Sequence, residues 1–377
     1  MISRPVSKDN FDLRNDKSLN FSILVLIIVL LGGFATIILN SQDTKSHVTT
    51  TPSALKKNDF VWGTFSNAYF GNGPGEEFAK EHTDMQIPYF KDLGINTVKF
   101  NLLFNLPNEF PFREENDYYV DKLIENHIDR YMVIEHGVDD DFFETANYQV
   151  GYEWGKKVAT HFSGRINYYQ MLNEVSGTAM KPTFPGFNKN DYDEHKYQVI
   201  KEYLRGMSDA IHEFDPGAQK VITAHFLGTA MIDRLMEDGV KFEVIGWDWY
   251  SEMGNSLTNK EYAGQVFNIP EHFRYSGKKF WVSELSLAHG SFGGREVEQS
   301  EFLKTVIKDA ISSKLVSGVF TFTMFDMTAA FGGVADQNNS WGLVTNKFNP
   351  ISKQWEFADK KPAYYMYQEM IRSHLSI

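Results

Sequence analysis

From Phe60 to the end of the chain, short runs of β-branched and aromatic residues alternate with stretches whose apolar positions recur at helical spacing. The runs predict eight strands, over 60–65, 97–103, 131–135, 167–172, 220–224, 244–249, 279–283 and 319–325. Helical patterns lie between them, clearest over 85–93, 149–162, 195–214, 231–238, 297–314 and 362–374. In the third of these, Met207, Ile211 and Phe214 fall at i, i+4 and i+7 and give the helix one apolar stripe. Strands alternating with helices predict parallel βα units, and eight such units match a (β/α)8 barrel over 59–377. An open doubly wound sheet would place a Gly-rich phosphate turn after the first strand, and FSNAYFGNGPGEE is not one.

Loop lengths predict which face works. The helix-to-strand links are tight (DLGIN, HFSGRI, FDPGAQK, EDGVKF, YSGKKF). The strand-to-helix links are long and rich in Gly, Asn and aromatic residues, notably 174–192, 285–296 and 326–360. Elaborate loops on one face only are the mark of a barrel whose active site lies at the C-terminal ends of its strands.

One segment departs from this pattern. Residues 21–39 (FSILVLIIVLLGGFATIIL) carry no charge, and 19 residues are enough for a helix to cross a hydrocarbon core. Arg4, Lys8, Arg14 and Lys17 precede the run, and Lys45 alone follows within the next fifteen or so positions. This bias predicts a cytoplasmic segment over 1–20, a single-pass inner-membrane anchor over 21–40, and an exported domain, periplasmic or extracellular. A cleaved signal peptide is the competing reading, but no small-x-small site follows Leu39. The polar, Thr/Ser-rich stretch 41–58 predicts a flexible linker.

Composition narrows the chemistry. A net charge of -12 argues against a nucleic-acid partner, which would be held through clustered Lys and Arg. There is no cysteine, so disulfides, thiolate metal sites and a Cys nucleophile are excluded. A metal-dependent barrel hydrolase would want a His pair on its first strand, and FVWGTFSN has none. Neither a metal nor a cofactor is expected, and the chain is read as a monomer.

Two carboxylates close two strands. The fourth ends INYYQMLNE, placing Asn173 and Glu174 at the mouth, and the seventh ends KFWVSEL, placing Glu284 there. Retaining glycoside hydrolysis needs one carboxylic acid beside the leaving oxygen and one carboxylate facing the anomeric carbon, about 5–5.5 Å apart. Strands across a barrel mouth can supply that pair. Each Glu alone reads equally well as an ordinary charge leading a helix; the two together carry the inference.

Asn-Glu closing strand four, Glu closing strand seven and the aromatic-Tyr of VIGWDWYSE closing strand six resemble clan A of the glycoside hydrolases. The tail, WGLVTNKFNP followed by KKPAYYMYQ, is similar to the ending of many family 5 and family 39 members. The resemblance implies Glu174 as acid/base, Glu284 as nucleophile, Asn173 as donor to the sugar 2-hydroxyl, and Tyr250 as a hydrogen-bond donor to Glu284. It also implies a carbohydrate substrate, a polymer of the cell envelope or an exopolysaccharide, with envelope polysaccharide machinery as a further partner.

The sequence departs from that pattern at two places. Where many members carry an Arg on strand two, TVKF offers Lys99. Where strand eight often ends in a Trp under the sugar, TFTMFDM has Phe325 and Asp326, and Trp341 in the following loop is the substitute candidate. His136, His225 and Trp249, at strand ends, complete the candidate sugar contacts, though each also reads as packing. Asp336 is either a loop cap or a polar subsite. A catalytically silent polysaccharide-binding barrel and a transglycosylase using the same carboxylates remain as alternative functions.

Overall fold

Eight parallel strands close into a barrel in chain order. In chain order they are β1 Val61–Phe65, β2 Thr97–Asn101, β3 Asp129–Val133, β4 Tyr168–Gln170, β5 Gln219–His225, β6 Val244–Tyr250, β7 Lys279–Ser286 and β8 Val316–Thr321. The computed structural model describes residues 59–67, 80–102, 114–134, 140–327, 337, 339–349, 351 and 354–376. The expected leader, anchor and linker lie outside these residues, as do His136 and Asp336. Among the described residues no helix is long and apolar enough to cross a membrane.

Alternation along the strands sorts side chains between two layers. Val98 and Phe100 of β2 join the large apolar cluster that packs the strands against their helices. A smaller cluster of Val61, Tyr131, Tyr168, Val221, Val244, Trp281 and Phe320 fills the bore. Tyr131 on β3 lies 5.9 Å from Trp281 on β7 and 5.2 Å from Phe320 on β8, ring centroid to centroid, contacts that only the interior of a closed barrel permits.

Helices Tyr148–His161 and Glu194–Phe214 pack closest of all, because glycines remove the side chains between them. A Cβ on Gly151 would sit 2.1 Å from the Tyr203 carbonyl oxygen, and one on Gly206 would sit 1.9 Å from that of Tyr148. Met207 and Ile211 are fully buried, as their stripe predicts. The closing helix Pro362–Ser376 locks the barrel seam: the Tyr367 hydroxyl donates to the carbonyls of Gly63 on β1 (2.8 Å) and Val319 on β8 (2.9 Å).

The pattern falls short in three places. β8 leaves the sheet at Thr321, so Phe325 does not end a strand at the mouth; it is buried outside the bore, stacked on Phe357 at 3.9 Å. The stretch read as one long loop after β8 contains a hairpin, Val344–Asn349 with Gln354–Lys360. Helix Glu114–Glu125 lies outside the predicted helical stretches; its first turn is acidic, and Tyr119, Val120 and Leu123 are its buried apolar residues.

Candidate active site

The C-terminal ends of β4, β6, β7 and β8 and the loop carrying Trp341 enclose a pocket of about 420 Å³, lined by Asn173, Glu174, Tyr250, Glu252, Glu284, Ala288, His289, Phe322 and Trp341. A bulge builds its centre. Trp247 pairs with Val282 and Asp248 with Glu284, so Ser283 is an extra residue on β7. The Ser283 hydroxyl turns back to donate to Asp248 Oδ1 at 2.6 Å. Gly246 makes room for it, since a Cβ there would lie 2.6 Å from Ser283 Oγ.

Both Glu284 carboxylate oxygens are acceptors. Lys99 Nζ donates to Oε1 at 2.8 Å and the Tyr250 hydroxyl to Oε2 at 2.6 Å. Lys99 is wholly buried, its ammonium 5.4 Å from the Tyr131 ring centroid. Two charge-assisted bonds hold the carboxylate in one orientation and stabilise its charge. Burial, then the Glu284 charge, push the Tyr250 hydroxyl well above the usual phenol range, so it stays a donor.

Glu174 stands in a different environment. Its backbone is left-handed (φ 43°, ψ 50°), an uncommon conformation for a residue with a side chain. The Glu174 N–H donates to Thr223 Oγ1 on β5 at 2.8 Å, and the short helix Val175–Ala179 starts at the next residue. Its side chain makes no hydrogen bond among the described residues; the nearest partner is His225 Nδ1 at 3.8 Å from Oε1. Burial, and next the Glu284 charge, raise the Glu174 carboxyl to about 7, with Lys99 opposing. Burial lowers the proton affinity of His225, keeping that imidazole neutral. One pocket therefore holds a carboxylate fixed by two donors and a carboxyl that keeps its proton near neutrality.

Asn173 is oriented from beneath. The Tyr131 hydroxyl donates to Gln170 Oε1 at 2.6 Å, and Gln170 Nε2 donates to Asn173 Oδ1 at 2.7 Å. With its oxygen occupied, Asn173 presents its amide N–H groups to a ligand. Trp341 is held by a buried ion pair: Lys361 Nζ donates to Asp326 Oδ1 (2.7 Å), Ser291 Oγ (2.8 Å) and the Ser340 carbonyl (3.3 Å). Gln299 Nε2 donates to the Trp341 carbonyl at 2.9 Å, and the Trp341 ring meets Phe322 edge-on at 5.5 Å.

The structure brings Asn173, Glu174, Tyr250, Glu284 and Trp341 into one pocket. It corrects two expected sugar contacts. Trp249 points away from the bore, is fully buried, and donates its indole N–H to the Gly254 carbonyl. Lys99 is wholly buried outside the pocket lining and pairs with Glu284 at 2.8 Å. His225 lies behind Glu174, outside the pocket lining. Glu252, His289 and Phe322 were missed. Glu252 stands two residues past Tyr250 in a quoted motif, and His289 lies in a loop already marked as long, so position was the available signal. Phe322, where the chain has just left β8, stands in the pocket lining together with Trp341.

No protein-family model and no curated protein matches the chain. Solved structures do. The family 1 β-glucosidase from Thermotoga maritima superposes with a TM-score of 0.55 at 14% sequence identity, covering 84% of this chain and 98% of its own. Its complex with galacto-hydroximolactam gives the same TM-score, identity and coverage, 0.55, 14%, 84% and 98%. So does the AHE enzyme from Alicyclobacillus herbarius, at 0.55, 14%, 84% and 98%. This chain shares the (β/α)8 fold of those proteins.

Proposed function

We propose that this protein is a retaining glycoside hydrolase acting by double displacement. The observation that carries the reading is the pairing within one pocket of Glu284, fixed by Lys99 and Tyr250, with Glu174, whose carboxyl is raised to about 7. Glu284 attacks the anomeric carbon while Glu174 gives its proton to the departing oxygen. Ester formation removes the Glu284 charge, one of the two causes that raise Glu174, so Glu174 becomes a better acid and its conjugate carboxylate is available to take a proton from water. Water then releases the sugar with its configuration retained. Trp341 and Phe322 offer aromatic faces to the ring, and Asn173 an N–H donor to a hydroxyl.

The silent-barrel alternative drew on the missing strand-two Arg, and Lys99 on Glu284 weighs against it. The substrate we favour is a polysaccharide of the cell envelope, met by a domain tethered through residues 21–40. Incubation with dinitrophenyl 2-deoxy-2-fluoro-β-glycosides of glucose, galactose and mannose tests the mechanism. The expected result is one covalent sugar per protein, mapped to Glu284. A label on another residue removes the assignment.

A further inference from the structure

The strand that delivers Glu174 is short. β4 pairs with β5 only from Tyr168 to Gln170, opposite Gln219 to Val221, whereas β5 runs on to His225, still paired with β6. Residues 172–176, which bring Asn173 and Glu174 to the pocket, make no backbone-to-backbone bond to β5. Side chains take over the connection. The Thr223 hydroxyl accepts from the Glu174 N–H at 2.8 Å and from Gln170 Nε2 at 3.2 Å, and donates to the Leu172 carbonyl at 3.4 Å. Two positions on, the His225 N–H donates to Ser176 Oγ at 3.1 Å. Thr223 is wholly buried and stands in register with Gly246 on β6. A Cβ on Gly246 would lie 2.7 Å from the Thr223 methyl carbon, so the glycine makes room for the methyl group and the hydroxyl serves β4.

The Glu174 backbone has few other restraints. Its carbonyl accepts from the Gly177 N–H at 2.9 Å at the start of the short helix, and its N–H bonds to Thr223. A left-handed backbone crowds Cβ against the following carbonyl oxygen and persists only where the surroundings hold it. We propose that Thr223 is the positioning residue of the acid/base: its hydroxyl holds Glu174 in the left-handed conformation and thereby aims the Glu174 carboxyl into the pocket. The proposal rests on the reading of Glu174 as acid/base. Rotation about φ out of that region swings the Cα–Cβ bond and carries the carboxyl from its place. Glu284 keeps its own bonds to Lys99 and Tyr250 on the other side of the pocket. Asn173 keeps its orientation as well, because Gln170 retains its bonds to Tyr131 and to Asn173 Oδ1. Thr223 itself lies outside the pocket lining and acts through Glu174.

Thr223→Val keeps the shape and removes the hydroxyl, and Thr223→Ser keeps the oxygen. Residue-resolved hydrogen exchange on the full chain, followed by mass spectrometry, reads the bond without substrate. The Glu174 amide should exchange slowly in the wild type, at least about tenfold faster in Thr223→Val, and slowly again in Thr223→Ser. Fast exchange in the wild type overturns the proposal even if Thr223→Val does not fold, and so does an unchanged rate in that variant. Kinetics read the aim of the carboxyl, with aryl β-glycosides of whichever of glucose, galactose or mannose labels Glu284. Thr223→Val should lower kcat/KM about tenfold to a hundredfold for the phenyl glycoside, which needs the proton, and no more than about threefold for the dinitrophenyl glycoside, which does not. Thr223→Ser should restore the phenyl rate. Equal losses for both leaving groups overturn the proposal. Glu174→Ala should show the same split at greater size. If it shows none, the acid/base reading fails, while the exchange rates still decide whether Thr223 holds the turn.

Discussion

The Tyr250 hydroxyl donates to Glu284 Oε2 at 2.6 Å, while Lys99 occupies the other oxygen from the opposite side of the bore. A hydrogen bond to a charged group contributes about 1.5–3 kcal/mol. Tyr250→Phe should therefore lower kcat/KM by about one to two powers of ten. Melting temperature should fall by only a few degrees, since the ring still packs at 6.2 Å from Phe322. A normal rate would return Tyr250 to packing.

Lys99→Met should be more damaging. Removing one member of a buried pair strands the other charge, at a cost of about 3–5 kcal/mol. The expected loss in kcat/KM is about a hundredfold to a thousandfold. The variant should also melt lower, and Lys99→Met/Glu284→Gln, which leaves no stranded charge, should recover part of that loss. No recovery in the double variant would show that Lys99 contributes packing alone.

Glu174 sets the alkaline limb. Its carboxyl is raised from 4.5 to about 7, so kcat/KM should fall as pH rises through about 7. The same shift has a stability consequence of definite sign. Between 4.5 and about 7 the folded protein binds this proton more tightly than the unfolded chain, so stability falls as pH rises through that window. Glu174→Gln should remove the penalty, raising the melting temperature above pH 7 and leaving it nearly unchanged at pH 4. Discounted for a side chain one-third exposed, the gain is on the order of 1 kcal/mol, about 2 °C. Equal melting curves at pH 8 would contradict the burial of its charge.

Lys361 tests how the pocket wall is held. Lys361→Met leaves Asp326 buried without its ammonium and unties the Ser340 carbonyl beside Trp341. Stability should drop by about 3–5 kcal/mol, and Lys361→Met/Asp326→Asn should recover part of it. KM should rise by a larger factor than kcat falls, because neither catalytic carboxyl touches this network. An unchanged KM would mean that Trp341 makes no sugar contact.

The uncharged run 21–39 predicts that full-length protein remains in the membrane fraction through high-salt and alkaline washes. Protease added from the outside should release a soluble domain by cutting within 41–58. Isolation of a mature chain beginning near residue 41 would instead establish a cleaved signal.

Much of this protein is written in local pattern. The β-branched and aromatic runs and the helical stripes determine eight strands, their order and the parallel barrel, because each strand is buried on both faces and each helix on one. The contrast between short and long loops marks the working face. Asn173, Glu174, Tyr250 and Glu284 are legible because a barrel sends the last residue of a strand to its mouth. Which residues cross the bore to meet one another is not legible. Lys99 is 185 positions from Glu284 in the chain, and Asp248 reads as one polar residue within a Trp-rich strand. The Ser283 bulge adds a single residue and leaves no mark in composition, yet it aims Glu284 and joins Ser283 to Asp248. Phe322 rather than Phe325 lines the pocket because β8 ends earlier than its apolar run, where the chain turns out of the sheet. These outcomes depend on closure: a barrel sums small registers around a ring, and only the closed ring decides which side chains share its interior.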